Sequence, residues 1–244
     1  MYQSIILLLI IVLFSCSANS VDSVLIGLDR VQEFATLFNG KRIGIVTNHT
    51  AYNSENQYIT DVFLSLTNTE ISALFGPEHG IRGEEAAGKK IENKVDPKNQ
   101  IPIYSLYGET KKPTSEMLAS TDVLVFDIQD IGTRFYTYVY TMALAMEAAA
   151  ESNIPFIVLD RPNPINGLTV EGNILDPKFS SFVGLYPIPV RHGMTVGELA
   201  NMINKKGWLK NGIQADLTVI PLKNWQRDFW FDQTIRITTT AFQQ

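Results

Sequence analysis

The sequence is short of several residues and motifs, and each shortage excludes a class of protein. Of 244 residues, only Cys16 is a cysteine and only three are histidines. A single cysteine cannot form a disulfide within the chain, so the fold does not depend on one. No Gly-x-Gly-x-x-Gly follows the first predicted strand, and no Gly-Lys-Ser or Gly-Lys-Thr occurs. Dinucleotide and P-loop nucleotide binding are therefore unsupported.

Basic residues are also in the minority. Twenty Lys and Arg against 25 Asp and Glu give a formal charge of −5. Such a chain has no basic footprint for a phosphate backbone, so nucleic acid is not expected as a partner. Hydrophobic residues make up 45% and charged residues 18% of the chain, which excludes intrinsic disorder and a coiled coil. The composition indicates a globular protein.

Only the N-terminus carries a long apolar run. Residues 5–14 are uninterrupted apolar residues, about half of what a membrane-spanning helix needs but enough for a signal-peptide core. Leu13-Phe14-Ser15-Cys16 then resembles a bacterial lipobox, in which the cysteine becomes the lipidated first residue. We expect a signal peptide over 1–15, a short linker over 16–25, and a periplasmic or cell-surface lipoprotein that contacts membrane only through its lipid. An ordinary signal peptide with an incidental cysteine is the alternative.

Strand-like and helix-like segments alternate over the rest of the chain. The predicted strands are Arg42–Thr47, Ile71–Phe75, Asp122–Asp127, Ile154–Leu159 and Leu217–Ile220. The predicted helices are Tyr58–Leu66, Thr114–Leu118, Arg134–Ser152 and Thr195–Lys206. Continuous apolar strands separated by helices are typical of a parallel sheet that is covered on both faces. The prediction is an α/β fold, a Rossmann-like layered domain with a mainly parallel sheet.

Polar residues follow the carboxyl ends of these strands, where ligands bind in open parallel sheets. The candidates are Asn48, His49, Glu78, His79, Arg82, Asp127, Gln129, Arg134, Asp160, Arg161 and Asn163. Arg191 and His192 lie in a further loop, so that all three histidines of the chain are in loops. We expect these side chains to meet at one edge of the sheet.

Glu78 and His79 stand between Gly76-Pro77 and Gly80, which predicts a tight turn. Desolvation beside Phe75 would raise the pKa of the Glu78 carboxyl, as a general acid requires. A loop glutamate that pairs with Arg82 or Arg134 is the alternative.

The remaining candidates allow more than one role. Asp127 and Asp160 are suited to acid/base chemistry or metal binding, or to capping turns and orienting Arg134 and Arg161. Side-chain amides suit sugar hydroxyl and acetamido groups, and the candidate amides are Asn48, Gln129 and Asn163. Guanidinium groups suit a carboxylate, and the candidate guanidinium groups belong to Arg82, Arg134, Arg161 and Arg191. The histidines come from separate loops without metal-ligand spacing, so no metal or cofactor is expected.

Five motifs together resemble one known family. They are Thr47–Thr50, Leu74–Gly83, Val125–Asp130, Asp160–Gly167 and Pro189–Thr195, and the resemblance extends from about residue 26 to 231. The family is the bacterial exo-β-N-acetylmuramidases of the NamZ type, formerly a domain of unknown function. The resemblance implies a glycoside hydrolase that removes terminal N-acetylmuramic acid from the non-reducing end of peptidoglycan fragments, either muropeptides or MurNAc-GlcNAc saccharides.

The same resemblance implies roles and a domain division. Glu78 falls on the catalytic acid, with His79 beside it, and the other candidates become pocket residues. A Rossmann-like catalytic domain would occupy 26–190, and 191–244 would begin a smaller C-terminal region. The residues after Gln233 do not resemble the family's continuation, so this region is expected to be incomplete and the chain truncated. A catalytically inactive, muropeptide-binding surface lipoprotein is the alternative function.

Overall fold

The computed structural model describes residues 23–83 and 94–234. The predicted signal peptide, Cys16 and most of the predicted linker lie outside the described residues. Among the residues that are described, no helix has both the length and the apolar character to cross a membrane.

One sheet organises the described part of the chain. Its seven strands are β1 (Arg42–Thr47), β2 (Glu70–Gly76), β3 (Lys94–Val95), β4 (Pro102–Ser105), β5 (Val123–Asp127), β6 (Phe156–Leu159) and β7 (Leu217–Ile220). Their spatial order is β3-β4-β2-β1-β5-β6-β7, and every neighbouring pair is parallel except β3 with β4. Without the antiparallel edge strand, this is the 3-2-1-4-5-6 order of a Rossmann fold. The predicted fold class is confirmed.

Helical segments cover both faces of the sheet. They are α1 (Ile59–Leu64), α2 (Ser115–Leu118), α3 (Tyr138–Glu151), α4 (Val196–Lys205), the short α5 (Phe231–Thr234) and a 3-10 segment, Gly27–Leu37, that is interrupted at Phe34. One apolar core lies between the sheet and α3 and α4, and a second lies between the sheet and α1 and the 3-10 segment. Strands such as β5, whose residues are all buried, need this double cover.

Several predicted elements have the bounds expected from sequence, and two strands escaped prediction. β1 and β7 agree residue for residue, and α4 begins after a capping box. The Thr195 hydroxyl accepts from Glu198 N at 3.2 Å, and the Glu198 carboxylate accepts from Thr195 N at 3.0 Å. β3 has two residues and β4 has four and begins with Pro102, so neither shows the apolar run on which strand prediction depends.

The helix predicted from Arg134 begins only at Tyr138. Arg134 N donates to Val190 O at 2.7 Å, and its guanidinium donates to Asn173 O and Ile188 O, both at 2.7 Å. These bonds to a distant loop hold Arg134 in a turn that precedes the helix.

The division proposed after residue 190 stays a prediction. The structure shows that α4 and β7, which both come after it, complete the same fold as the strands before it. β7 pairs with β6 from Phe156 to Leu159, and Leu199, Ala200 and Ile203 of α4 lie in the α3 core. The described part of 191–244 therefore contributes an edge strand and a helix to the Rossmann-like domain.

The point where the strand order reverses lies between β1 and β5. From β1 the chain proceeds to β2 on one side, and it returns to β5 on the other side of β1. Thr47 pairs with Asp127 at the carboxyl ends of these two strands. Open α/β sheets bind their ligands in the crevice outside this point.

Candidate active site

The Glu78 turn is tight and carries an unusual backbone conformation. Gly80 N donates to Pro77 O at 2.9 Å, which closes a four-residue turn with Glu78 and His79 at its centre. His79 has φ of 69°, in the left-handed region that residues other than glycine seldom adopt. Left-handed residues of this kind are held by their surroundings and are common at functional sites. The turn is therefore fixed, with Glu78 half-buried.

Two tyrosines hold this turn. The Tyr107 hydroxyl hydrogen-bonds to the Glu78 carboxyl, and this bond is the main cause that raises the pKa of Tyr107. The Tyr138 hydroxyl donates to the Glu78 carbonyl oxygen at 3.3 Å. Tyr107 lies just beyond β4 and contacts the carboxyl, and Tyr138 at the start of α3 contacts the backbone carbonyl, so two separate parts of the fold hold Glu78.

A tyrosine pair connects the Glu78 turn to Asp130. The rings of Tyr136 and Tyr138 meet edge to face with centroids 4.8 Å apart. Burial raises the pKa of the Tyr136 hydroxyl, and the neighbouring Tyr138 and Asp130 raise it further. The ends of β2 and β5 are thus joined through aromatic side chains across β1.

Buried polar atoms without a partner are concentrated at this edge. Eight buried side-chain atoms of the described residues have no hydrogen-bond partner, and Trp225 Nε1 is one of them. The other seven are Asn48 Nδ2, His49 Nδ1, Gln129 Oε1, Asp130 Oδ1, Thr133 Oγ1, Arg191 Nε and His192 Nε2. Because buried polar atoms are nearly always hydrogen-bonded, this concentration indicates a place that receives a polar ligand or water.

Asp130 and His192 form a buried pair. His192 Nδ1 accepts from Met194 N at 3.2 Å, which places the ring proton on Nε2, 3.6 Å from Asp130 Oδ2. Asp130 Oδ2 also accepts from Gly132 N at 2.7 Å, and Oδ1 remains unpartnered. The pair offers one donor and one acceptor without further protein partners.

The side-chain amides of Asn48 and Gln129 each have one atom that is hydrogen-bonded to the protein and one atom without a partner. Asn48 Oδ1 accepts from Thr50 N at 2.9 Å and from Thr50 Oγ1 at 2.6 Å, so Nδ2 remains as a donor. Gln129 Nε2 donates to Asp130 O at 2.7 Å and to Pro162 O at 2.9 Å, so Oε1 remains as an acceptor. An unpartnered donor and an unpartnered acceptor suit the N–H and C=O of an acetamido group.

His49 is held neutral. Burial lowers the pKa of its imidazole, and His79 lowers it further. Its ring packs against Gly83, where φ is +70° and an added Cβ would lie 2.6 Å from His49 Nδ1. A side chain at Gly83 would displace the ring, so glycine is required there.

Arg161 and Asp127 bind each other below the surface of the site. Arg161 Nε donates to Asp127 Oδ1, and the terminal nitrogen donates to Oδ2 at 3.0 Å and to Tyr52 O at 3.2 Å. The two side chains are 1% and 0% exposed. Complete burial raises the pKa of Asp127, and the charge of Arg161 opposes this shift. Neither side chain has a surface on which a ligand could bind.

The other three candidate arginines also have partners in the protein. Arg82 pairs with Asp96 at 2.9 Å, and the two carbonyl oxygens bound by the Arg134 guanidinium occupy that side chain. Arg191 pairs with Glu171 at 3.0 Å and donates to Ile165 O, but its buried Nε has no partner. Among the four candidate arginines, Arg191 therefore keeps a buried guanidinium donor without a partner, and a backbone bridge joins Arg191 to Thr133 of the 129–133 loop.

Asp160 and Asn163 bind backbone groups of the fold. Asp160 accepts from Gly197 N at 2.7 Å and from the Thr195 hydroxyl at 3.0 Å, at the start of α4. Burial raises the pKa of Asp160 to about 7. Asn163 donates to Met194 O at 3.0 Å and accepts from Ile165 N at 3.1 Å. The capping role, which the sequence left open for Asp160, matches these contacts.

Sequence reasoning missed Tyr107, Tyr138, Asp130 and Thr133 as parts of the site. Asp130 ends the Val125–Asp130 motif and Thr133 lies three residues beyond it, so both carried a usable signal. Tyr107 follows a strand that the sequence did not reveal. Within residues 23–83 and 94–234, no three His, Asp or Glu side chains are grouped so that they could hold a metal ion.

Comparison with known proteins decides the family. Residues 43–241 match the family described as Exo-beta-N-acetylmuramidase NamZ, N-terminal. The chain belongs to this family. The resemblance stated from the five motifs is confirmed. Peptidoglycan beta-N-acetylmuramidase NamZ of Bacillus subtilis (strain 168) is 54% identical over 202 residues, which are 83% of this chain and 48% of that protein.

Two solved structures have the same fold. Both are DUF1343 family proteins from Bacteroides fragilis NCTC 9343. One has a TM-score of 0.79 at 44% identity over 86% of this chain and 53% of its own. The other has a TM-score of 0.73 at 39% identity over 85% and 54%. The chain therefore spans about half the length of the relatives that it matches.

Proposed function

We propose that this protein is a glycoside hydrolase that releases terminal N-acetylmuramic acid from the non-reducing end of peptidoglycan fragments, with Glu78 as general acid. The observation that carries the proposal is the position of Glu78. It lies half-buried in a fixed turn at the ligand-binding edge of the sheet, in a family whose Bacillus subtilis member is named a peptidoglycan β-N-acetylmuramidase.

The chemistry begins with proton transfer. The Glu78 carboxyl gives its proton to the glycosidic oxygen as the bond between that oxygen and the anomeric carbon breaks. Water supplies the hydroxyl that completes the released sugar, and the remaining proton of that water restores the acid. Tyr107 bonds to the same carboxyl and so fixes its direction. The fixed turn keeps the acid in place without a conformational change.

The unpartnered atoms match the groups of N-acetylmuramic acid. Asn48 Nδ2 and Gln129 Oε1 would bind the acetamido group, and Arg191 Nε would bind the lactyl carboxylate. His192 and Asp130 would bind ring hydroxyl groups or an ordered water. The other predicted pocket residues then support the site through the contacts described above.

Replacing Glu78 by Gln tests the acid. Gln keeps the size of the side chain but has no acidic proton, so we expect the release of N-acetylmuramic acid from an aryl β-N-acetylmuramide to fall by about a thousandfold. Glu33→Gln is the control, since that exposed glutamate pairs with Arg30 far from the turn. Equal rates for wild type and Glu78→Gln would refute the assignment.

A muropeptide-binding protein without activity is the alternative, and a binding measurement with a test for product separates the two. Binding of a muropeptide to the wild-type protein in a calorimeter, without any product after long incubation, would favour it.

The proposal includes export and anchoring at the cell surface or in the periplasm through a lipid on Cys16, on the basis of the apolar run and the lipobox-like residues.

A further inference from the structure

The buried carboxyl groups near Glu78 differ in what they leave free. Among the buried side-chain atoms of the described residues that lack a partner, Asp130 Oδ1 is the only carboxylate oxygen. Both oxygens of Asp127 accept from Arg161, and both oxygens of Asp160 accept from groups at the start of α4. Glycoside hydrolysis commonly uses two carboxyl groups, one that protonates the leaving oxygen and one that acts on the other side of the sugar. Of these three carboxylates, Asp130 alone can take the second role.

The Asp130 carboxylate is held through one of its oxygens. Oδ2 accepts from Gly132 N at 2.7 Å and faces His192 Nε2 at 3.6 Å. His192 Nδ1 accepts from Met194 N at 3.2 Å, so the ring presents an N–H group and not a lone pair to Asp130. Gly132 has φ of +83°, and a Cβ there would collide with Asn163 Oδ1, so the loop that holds Oδ2 is itself fixed. Oδ1 is thus oriented and left to act on a ligand.

The sheet determines how far apart Glu78 and Asp130 begin. Val46 of β1 pairs with Phe75 of β2 on one side and with Phe126 of β5 on the other. Glu78 is three residues beyond Phe75, and Asp130 is four residues beyond Phe126. Two strand spacings separate β2 from β5, which is about 9–10 Å. The two turns therefore leave the sheet about that distance apart.

This separation distinguishes two classes of glycoside hydrolase. The carboxyl groups of retaining enzymes are roughly 5–5.5 Å apart because the second one bonds to the sugar, whereas those of inverting enzymes are roughly 6.5–9.5 Å apart and leave room for a water molecule. Strands two positions apart favour the larger separation. The Tyr136–Tyr138 pair, which connects the Glu78 turn to Asp130, fixes the two turns relative to each other.

We infer that Asp130 is the general base of the reaction and that hydrolysis inverts the configuration of the anomeric carbon. The inference rests on the proposed function. Asp130 Oδ1 takes one proton from a water molecule as the oxygen of that water bonds to the anomeric carbon. Glu78 gives its proton to the leaving oxygen as the glycosidic bond breaks. Asp130 then releases a proton to solvent and Glu78 takes one up, which restores both groups. His192 is a positioning residue, since it faces Oδ2 and so helps to direct Oδ1.

The anomer that is released first tests the inversion. Hydrolysis of an aryl β-N-acetylmuramide with inversion gives α-N-acetylmuramic acid, which equilibrates with the β-anomer only later. We expect proton NMR in the first minutes to show the α-anomeric signal of the product before the β-anomeric signal. The β-anomer first would overturn the inference and leave the proposed function in place, because a retaining enzyme releases the same sugar. No release by the wild-type protein would refute the proposed function, and the inference with it.

Asp130→Asn and azide test the base. Asn keeps an acceptor for Gly132 N but takes no proton from water, so we expect kcat for the aryl muramide to fall at least about a hundredfold. Azide is a nucleophile that needs no base, so it should restore turnover in this variant and give the α-glycosyl azide. Asp122→Asn is the matched control and should keep the wild-type rate, since Asp122 pairs with Arg42 at the opposite end of β5.

The azide result also separates the base from a structural role. A wild-type rate in Asp130→Asn, a low rate that azide leaves unchanged, or a β-glycosyl azide as product would each overturn the assignment of Asp130. His192→Leu should lower the rate with water and keep the response to azide, and loss of both rates would contradict its positioning role. The product anomer of the wild-type protein decides the inversion even where a variant does not fold.

Discussion

The last residues of β5 and β6 and the loops that continue from them contain similar polar groups in opposite states. Asp127, Arg161 and Asp160 are buried and fully engaged by each other or by the start of α4. Gln129, Asp130 and other residues of the loops are also buried, yet each has an atom without a partner. The first group fixes the strand ends, and the second is arranged for something that the protein does not itself supply. Position at a strand end alone does not separate these roles.

We expect the largest effect on stability from removing one member of the buried Asp127–Arg161 pair. Arg161→Met leaves the Asp127 carboxylate buried without its partner, so we expect the free energy of unfolding to fall by about 3–5 kcal/mol. Urea denaturation measures this loss. Arg42→Met is the matched control, because Arg42 and Asp122 form an exposed pair that contributes at most about 1 kcal/mol. Similar losses for both variants would contradict the structural role of Arg161.

Asp160 belongs to the buried, hydrogen-bonded group, and it should make the stability of the protein depend on pH. Because burial raises the pKa of Asp160 to about 7 from 3.8, the folded protein holds this proton more tightly than the unfolded chain. The resulting stabilisation is complete below pH ~4 and is lost as pH rises from about 4 to 7, by at most about 1.4 kcal/mol per pH unit.

Asp160→Asn removes the titrating proton and keeps an acceptor for Gly197 N. We expect urea midpoints at pH 5 and pH 7.5 to differ less in this variant than in wild type. An equal difference in both proteins would show that Asp160 does not titrate in this range.

The smallest expected effects concern two threonines, one with a hydrogen-bonded hydroxyl and one with an unpartnered hydroxyl. The Thr195 hydroxyl caps α4, so Thr195→Val should lower the free energy of unfolding by about 1 kcal/mol and leave KM near its wild-type value. The Thr133 hydroxyl is buried without a partner, so Thr133→Val should leave stability equal or higher and raise KM several-fold. Thermal unfolding and steady-state kinetics measure both. A loss of stability in Thr133→Val without a change in KM would contradict the ligand-binding interpretation.

Much of the fold could be predicted from sequence because its strands are continuous apolar runs. The runs that became β1 and β5 gave the sheet and, with it, the edge where Asn48 and Gln129 would lie. The 3-10 segment Gly27–Leu37 and β4 escaped prediction, since neither has the regular spacing of apolar residues that marks a helix or the length that marks a strand.

The sequence could not predict which candidate residues bind other parts of the protein and which keep unpartnered atoms. The Asp127–Arg161 pair joins residues 34 apart, and Tyr107 reaches Glu78 from the segment after β4, the strand next to β2. Such partners depend on strand order and on which face a side chain occupies. The sequence therefore located the edge, and only the three-dimensional arrangement distinguished the engaged carboxylates from the unpartnered atoms.

The left-handed backbone at His79 has a consequence for heat resistance. A non-glycine residue in that conformation costs about 1 kcal/mol, and glycine would recover most of it. Glycine would also discard the imidazole and loosen the segment that orients Glu78. Engineering for thermal tolerance by relieving unfavourable dihedrals would thus disturb the turn that holds the proposed general acid.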